Sequence, residues 1–293
     1  MTGSLRSKII PVTTILTILV VAWYVLAVFM NAPFQRDLDR RANETPGTIA
    51  FIGKTLSQPK PIVPAPQQVA QNVFENTFLR KPSSNRSLIY HAGVTLSSTL
   101  LGFAFGTVLG ILIAVGIVHL ASLDRSLMPW IIASQTIPIL AIAPMIIVVL
   151  AAIGITGLLP KALISTYLSF FPMAVGMVKG LRSPEIMHLD LMHTYNASPS
   201  QTFWKLRVPA SVPFLFASMK VAIAASLVGA IVGELPTGAV AGIGAKLLNA
   251  SYFSNTIDMW AALVAGSVVA LVLVGLVDIA SRLVERGMGA RPA

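Results

Sequence analysis

The chain has 293 residues, 55% hydrophobic and only 11% charged, whereas soluble domains carry about 25% charged residues. This balance excludes a water-soluble enzyme and makes the bilayer the solvent for one membrane domain. The formal net charge of +10 comes from basic residues scattered between apolar runs, which speaks for topology and lipid headgroups and against nucleic acid, and the absence of cysteine excludes disulfides and thiolate metal sites.

The first apolar run, Ile9 to Met30, follows Arg6 and Lys8. It exceeds the 7 to 15 apolar residues of a secretory signal and predicts a retained anchor over residues 1–30. Residues 31–87 mix Pro, Gly, Asn and both charge signs, as an external loop does. Within them Val69, Val73, Phe74 and Phe78 share one face of a helix over Gln67 to Leu79, an interfacial element whose entrance is stiffened by Val63 to Pro66.

Further apolar runs cover Ser87 to Leu123, Ser126 to Pro160, Ala162 to Val178, and Met259 to Val277, and Val208 to Gly233 is interrupted only by Lys220. Each is near or above the ~20 residues of a crossing, so the expected fold is an all-α membrane protein of about six transmembrane helices. The core spans residues 88–287 and leaves a tail at 288–293. Gly102, Gly106 and Gly110 repeat every four residues and predict close helix packing. The run from Ser126 is longer than one crossing and holds Gln135, Thr136, Pro138 and Pro144, so this helix is kinked or overhangs. Polar groups beside such a kink either line a pathway or tie helices together.

A polar hairpin, Leu181 to Pro213, interrupts the apolar pattern. Ser183 and Pro184 predict a helix start and Asn196 a left-handed end. Ser198, Pro199 and Gln201 form a capping box that opens a second helix, which Pro209 is expected to stop. With the long 31–87 loop set aside, basic residues concentrate on the hairpin side, which places the hairpin and both termini in the cytoplasm. Two ionisable residues fall in the fifth span. Glu234 either serves a gate or pathway or caps the Gly242 to Gly244 loop; Lys220 either snorkels, pairs within the bundle, or meets the solute.

No chemistry of catalysis stands out. His188 and His193 are five apart and share no helix face, the stretch from Gly238 to Lys246 lacks a phosphate-loop pattern, and no Ser, His and carboxylate grouping is evident. No metal, no cofactor and no enzymatic activity are expected on this chain.

Several patterns do point to a family. Pro64, Ala65 and Pro66 precede an amphipathic helix; Ile137, Pro138, Ala141 and Pro144 mark the third span; Asp190, Leu191, Met192, Asn196, Val208 and Pro209 occupy the places of a Glu-Ala-Ala, Gly and Leu-Pro loop signature. Glu234, Gly238, Gly242 and Gly244 mark the fifth-span exit, and Asp278, Glu285 and Arg286 the closing helix. Over about Val63 to Met288 the chain resembles the permease subunits of binding-protein-dependent ABC importers of the nitrate, sulfonate and taurine type. It departs from them in the bulk of Leu191 and Met192, in Asn196, and in a longer 31–62 segment.

The resemblance implies a type I ABC importer permease fold in the bacterial inner membrane. The hairpin at 181–213 becomes a coupling helix in which Asp190, Leu191, Met192, His193, Thr194, Tyr195, Asn196, Ala197 and Ser198 meet an ATPase. Gln135, Thr136, Pro138, Lys220 and Glu234 become candidates for the translocation pathway. Expected partners are ABC ATPase subunits, which hold ATP and Mg, a periplasmic or lipid-anchored binding protein, a second permease copy in a homodimer, and membrane lipid. The solute is of the nitrate, sulfonate or taurine, or pyrimidine or vitamin-precursor class. The competing reading is a self-contained secondary transporter or channel, which calls for more intramembrane charge or a repeated half.

Overall fold

In a computed structural model that describes residues 2–236 and 239–288, the elements are helices and connecting loops, with no strand among the described residues. Gly238 and the tail beyond Met288 lie outside them. The helices fall into two units. One comprises the residues up to Tyr90 with Lys246–Ala265, and the other His91–Ala245 with the residues from Gly266.

The first unit begins with α1, Thr2–Arg41, which does not end at Met30 as expected from the sequence. Its apolar portion, Ile10–Arg41, is 32 residues or about 48 Å long, more than the ~30 Å of a hydrocarbon core. The excess is held by Asn31, Gln35 and Asp39, four residues apart and buried. Asn31 Nδ2 donates to the Val63 carbonyl at 2.7 Å, and its Oδ1 accepts the amides of Ile62 (2.8 Å) and Val63 (3.1 Å). Gln58 donates to Gln35 at 2.9 Å, and Gln35 to Asp39 at 3.0 Å. Asn43, in the left-handed region with φ 54, ends the helix, and the Glu44 amide donates to the Asp39 carbonyl at 2.9 Å, closing the last turn.

The rest of this unit folds around that ladder. A short helix α2, Thr48–Leu56, leads to α3, Pro66–Phe74, which passes into a π turn at Glu75–Leu79. A helix is therefore present where the periodicity puts it, with Val69 buried but Phe74 and Phe78 exposed rather than covered. Trp23 of α1 donates to the Pro64 carbonyl at 3.0 Å and stacks on Trp260, ring centroids 4.9 Å apart.

The second unit contains all but the first turn of α4 (Leu88–His119), with α5 (Ala121–Ser134), α6 (Ile139–Ala152), α7 (Leu158–Leu181), α8 (Ile186–Thr194), α9 (Pro199–Thr202) and α10 (Val208–Glu234). It also holds the start of α11 (Ile243–Tyr252) and most of α12 (Thr256–Gly287). Its centre is α7, whose Ile164, Met173 and Leu181 are buried. The glycine face of α4 lies against it. A Cβ on Gly102 would sit 2.2 Å from Ser165 Cβ, on Gly106 2.0 Å from Ser169 Oγ, and on Gly110 2.6 Å from Met173 Cβ. Gly229 brings α10 just as close to Ser165, at 2.7 Å from its Cα. The three helices thus meet backbone to backbone.

The third apolar run, expected to be kinked or to overhang, is two helices with a sharp break between them. Helices α5 and α6 diverge by 97°. Pro138, which has no amide to donate, is the N-cap of α6, and Gln135 is the C-cap of α5. Counting this pair as one gives six apolar spans, with five unbroken helices long enough to cross.

Candidate functional site

The hairpin is the most defined projecting element of the second unit. Its first helix starts at Ile186 with Glu185 as N-cap, not at Ser183 and Pro184, because the Ser183 hydroxyl donates instead to the Ala210 carbonyl at 3.4 Å. At the turn Asn196 adopts φ 49, and the Ala197 amide closes on the Met192 carbonyl at 3.0 Å. The capping box is present as read. The Gln201 amide donates to Ser198 Oγ at 3.3 Å, and the Ser198 amide to Gln201 Oε1 at 2.9 Å.

Pro209 does not stop the second helix. A π turn at Phe203–Arg207 carries it into α10, with the Val208 amide donating to the Phe203 carbonyl, so the proline's missing amide falls where the helix register already shifts. One continuous helix, Pro199–Glu234, results. Arg207 donates to the Leu181 carbonyl at 3.0 Å, and Arg182 pairs with Asp124 at 2.8 Å. The hairpin is therefore fused to its spans at both roots.

Its outer surface is uncovered and sets large apolar side chains among polar ones. Ile186, Met187, Leu191, Tyr195 and Trp204 are all exposed, as are Asp190, His193, Thr194, Asn196 and Ser198, while Met192 and Ala197 are half-buried. Thr194 turns its hydroxyl inward to the Asp190 carbonyl at 2.9 Å.

The polar residues of the spans lie in separate places. Gln135, Thr136 and Pro138 share the break between α5 and α6 and are exposed there. Lys220 pairs with Asp278 of α12, which also holds Arg282 at 2.7 Å. Glu234, at the other end of α10 from the hairpin, has no exposed surface. Thr95 Oγ1 lies 2.9 Å from both its oxygens and donates to them, and the Gly244 amide donates at 2.9 Å. Thr95 Oγ1 in turn accepts the Ile243 amide at 2.8 Å, and the Gly242 amide donates to His91 Nδ1 at 3.0 Å. The carboxylate thus caps the 242–244 loop, one of the two roles its position suggests.

Beside this latch opens a cavity of about 380 Å³, lined among others by Val94, Ile147, Ile155, Lys161, Pro236 and Val240. Lys161 Nζ donates to the Ala241 carbonyl at 3.2 Å. His91, Thr95 and Lys161 belong to no motif. The only sequence signal was the four-residue spacing of His91 and Thr95, which puts two polar side chains on one face of an apolar helix.

Residues 106–290 match the family described as binding-protein-dependent transport system inner membrane component. The chain belongs to this family of ABC importer permeases. The permease is 31% identical over 215 residues to a probable ABC transporter permease protein of Haemophilus influenzae, covering 73% of this chain and 81% of that relative. It is 30% identical over 235 residues to the riboflavin transport system permease protein RibX of Chloroflexus aurantiacus (80% and 84%), and 26% identical over 276 residues to the nitrate import permease protein NrtB of Leptolyngbya laminosa (84% and 95%). The family places this multi-pass permease in the inner membrane. The matched region runs from the glycine face of α4 through the hairpin to α12.

Proposed function

We propose that this permease forms the translocation pathway of an ATP-driven importer that takes a small solute from a periplasmic or lipid-anchored binding protein. The observation that carries the reading is the hairpin, an exposed element with large apolar side chains, locked by the Asn196 turn and the Ser198–Gln201 capping box and continuous with a 36-residue helix. Its residues Asp190 to Ser198 dock into a groove of a separate ABC ATPase, in the manner of a helix in a cleft. ATP and Mg are held by that partner, and this chain performs no catalysis. When the ATPases close, a hairpin this firmly rooted cannot yield alone, and α10 moves with it.

A second copy of the chain completes the pathway as a homodimer. With the broken α5–α6 pair taken as one crossing, the hairpin and both termini are cytoplasmic, in agreement with the basic residues near them. Gln135, Thr136 and Pro138 offer polar, uncovered groups at a helix break and belong to the pathway, while Lys220 and Glu234 act on it through the helices and the loop they hold. Relatives named for nitrate, aliphatic sulfonates, formylaminopyrimidine and riboflavin support a solute from the classes of small anions and vitamin precursors.

The test is copurification of the tagged permease with a separate ATPase, followed by uptake in proteoliposomes with the binding protein. Uptake should require both partners and ATP. Solute flux by the permease alone would overturn the proposal.

A further inference from the structure

The cavity beside the Glu234 latch has largely apolar walls, with Thr156 the one uncharged polar side chain and Lys161 the one charged side chain among the described residues that line it. It sits at the ends of α7 and α10 opposite the hairpin: α7 runs 24 residues, about 36 Å, from Leu158 near the cavity to Leu181 at the hairpin root. Six parts of the chain build it: α4 through Val94, α6 through Ile147 and Ala151, the loop after α6 through Ile155 and Thr156, the start of α7 through Lys161, α10 through Gly233, and the loop after α10 through Val240. Gly233 lets α10 approach Lys161 closely; a Cβ there would lie 3.2 Å from Lys161 Cα.

The charge of this space is one-sided. Lys161 gives one of its three donors to the Ala241 carbonyl, which fixes the amine at the wall and leaves two donors. No Asp or Glu lines the cavity among the described residues; Glu234, next to the lining residue Gly233, lies within electrostatic reach of Lys161, but its oxygens are committed to Thr95 and Gly244 and it has no exposed surface to offer a ligand. At about 380 Å³ the space is that of a small organic ligand, many times the ~30 Å³ share of a water. A lone inorganic oxyanion would leave most of the apolar wall untouched.

We propose that this cavity is a vestibule on the permease itself that selects an organic anion with an apolar body, with Lys161 as the charge-selecting residue. The proposal rests on the importer reading for its physiological meaning. Its physical content, selection of anions by Lys161, stands apart. An anionic solute handed over at this end meets apolar wall for its body and a fixed ammonium for its charge, whereas an organic cation meets the same wall but is repelled by the ammonium.

The chain has no cysteine, so one introduced thiol is its only labelling site. Ala151→Cys places that thiol on the cavity wall. In membranes carrying the full chain, its modification rate is measured with anionic 2-sulfonatoethyl methanethiosulfonate and with cationic 2-(trimethylammonio)ethyl methanethiosulfonate. The anion-to-cation rate ratio should fall about tenfold when Lys161→Met is added and be kept by Lys161→Arg. Should Lys161→Met prevent insertion, Lys161→Gln is measured in its place. An unchanged ratio, or a thiol that neither reagent reaches, overturns the vestibule. ATP-dependent uptake by the assembled transporter is scored separately, so loss of the importer reading with the charge ratio intact is distinguishable from loss of the vestibule.

Discussion

The backbone of Gly242 lies directly over the carboxylate of Glu234: with φ at 127, a Cβ at this glycine would fall 2.1 Å from Glu234 Cδ. Neither residue tolerates a change in the other. The glycine leaves the space in which the carboxylate meets the Gly244 amide, and the carboxylate holds the loop in a conformation that L side chains rarely adopt.

Gly242→Ala should therefore lower stability by at least the roughly 1–3 kcal/mol of a strained backbone, before the clash with Glu234 is counted. Glu234→Ala, which leaves the Gly244 amide without its partner, should cost roughly 1–3 kcal/mol and slow transport while leaving ATPase assembly intact. Thermal unfolding of the detergent-solubilised permease, together with uptake and ATPase copurification, reads both. Wild-type transport by Glu234→Ala would remove the latch from the working cycle.

Asn196 at φ 49 makes a second prediction. A β-branched residue there, as in Asn196→Val, forces the left-handed turn at a cost of roughly 1–2 kcal/mol, whereas Asn196→Gly relieves it. The valine variant should insert normally yet lose uptake, with ATP hydrolysis no longer stimulated by the loaded binding protein. The glycine variant should transport. Equal activity of the two would mean that the turn's shape does not matter for coupling.

Within α4 the glycines separate into two kinds. Gly106 meets Ser169 so closely that Gly106→Ala must push α4 and α7 apart, while Gly93 has nothing within 4 Å of its missing Cβ. Gly93→Ala should be neutral or slightly stabilising, by up to about 1 kcal/mol. Gly106→Ala should destabilise, by the roughly 1–3 kcal/mol of an overpacked core. A comparison of the two melting temperatures decides the matter without any transport assay.

What the sequence revealed and what it hid follow one physical line. The hairpin's turn and second cap, the glycine face and the break before Pro138 are local: each is set by residues no more than eight positions apart. Pro209 was misleading because a π turn absorbs its missing amide, and no composition signal marks such a turn. Lys161 and Thr95 gain their meaning from residues 80 and 139 positions away, so only the assembled helices bring them into view. The same holds for residues 31–62, which have the composition of a loop but fold back on Asn31 and Gln35.

That fold-back gives the last prediction. Asn31 is buried and satisfies the amides of Ile62 and Val63 as well as the Val63 carbonyl. Asn31→Leu nearly keeps the volume but strands two amides and a carbonyl, each worth roughly 1–3 kcal/mol when left unmade in a buried place. Water can reach them only if the 58–63 segment swings away from α1. Limited proteolysis from the periplasmic side should therefore cut Asn31→Leu near Lys54 and Lys60 under conditions in which the wild type is resistant, while the hairpin and the second unit keep their protection. Equal resistance of the two proteins would show that the Trp23 and Gln58 contacts hold the segment without Asn31.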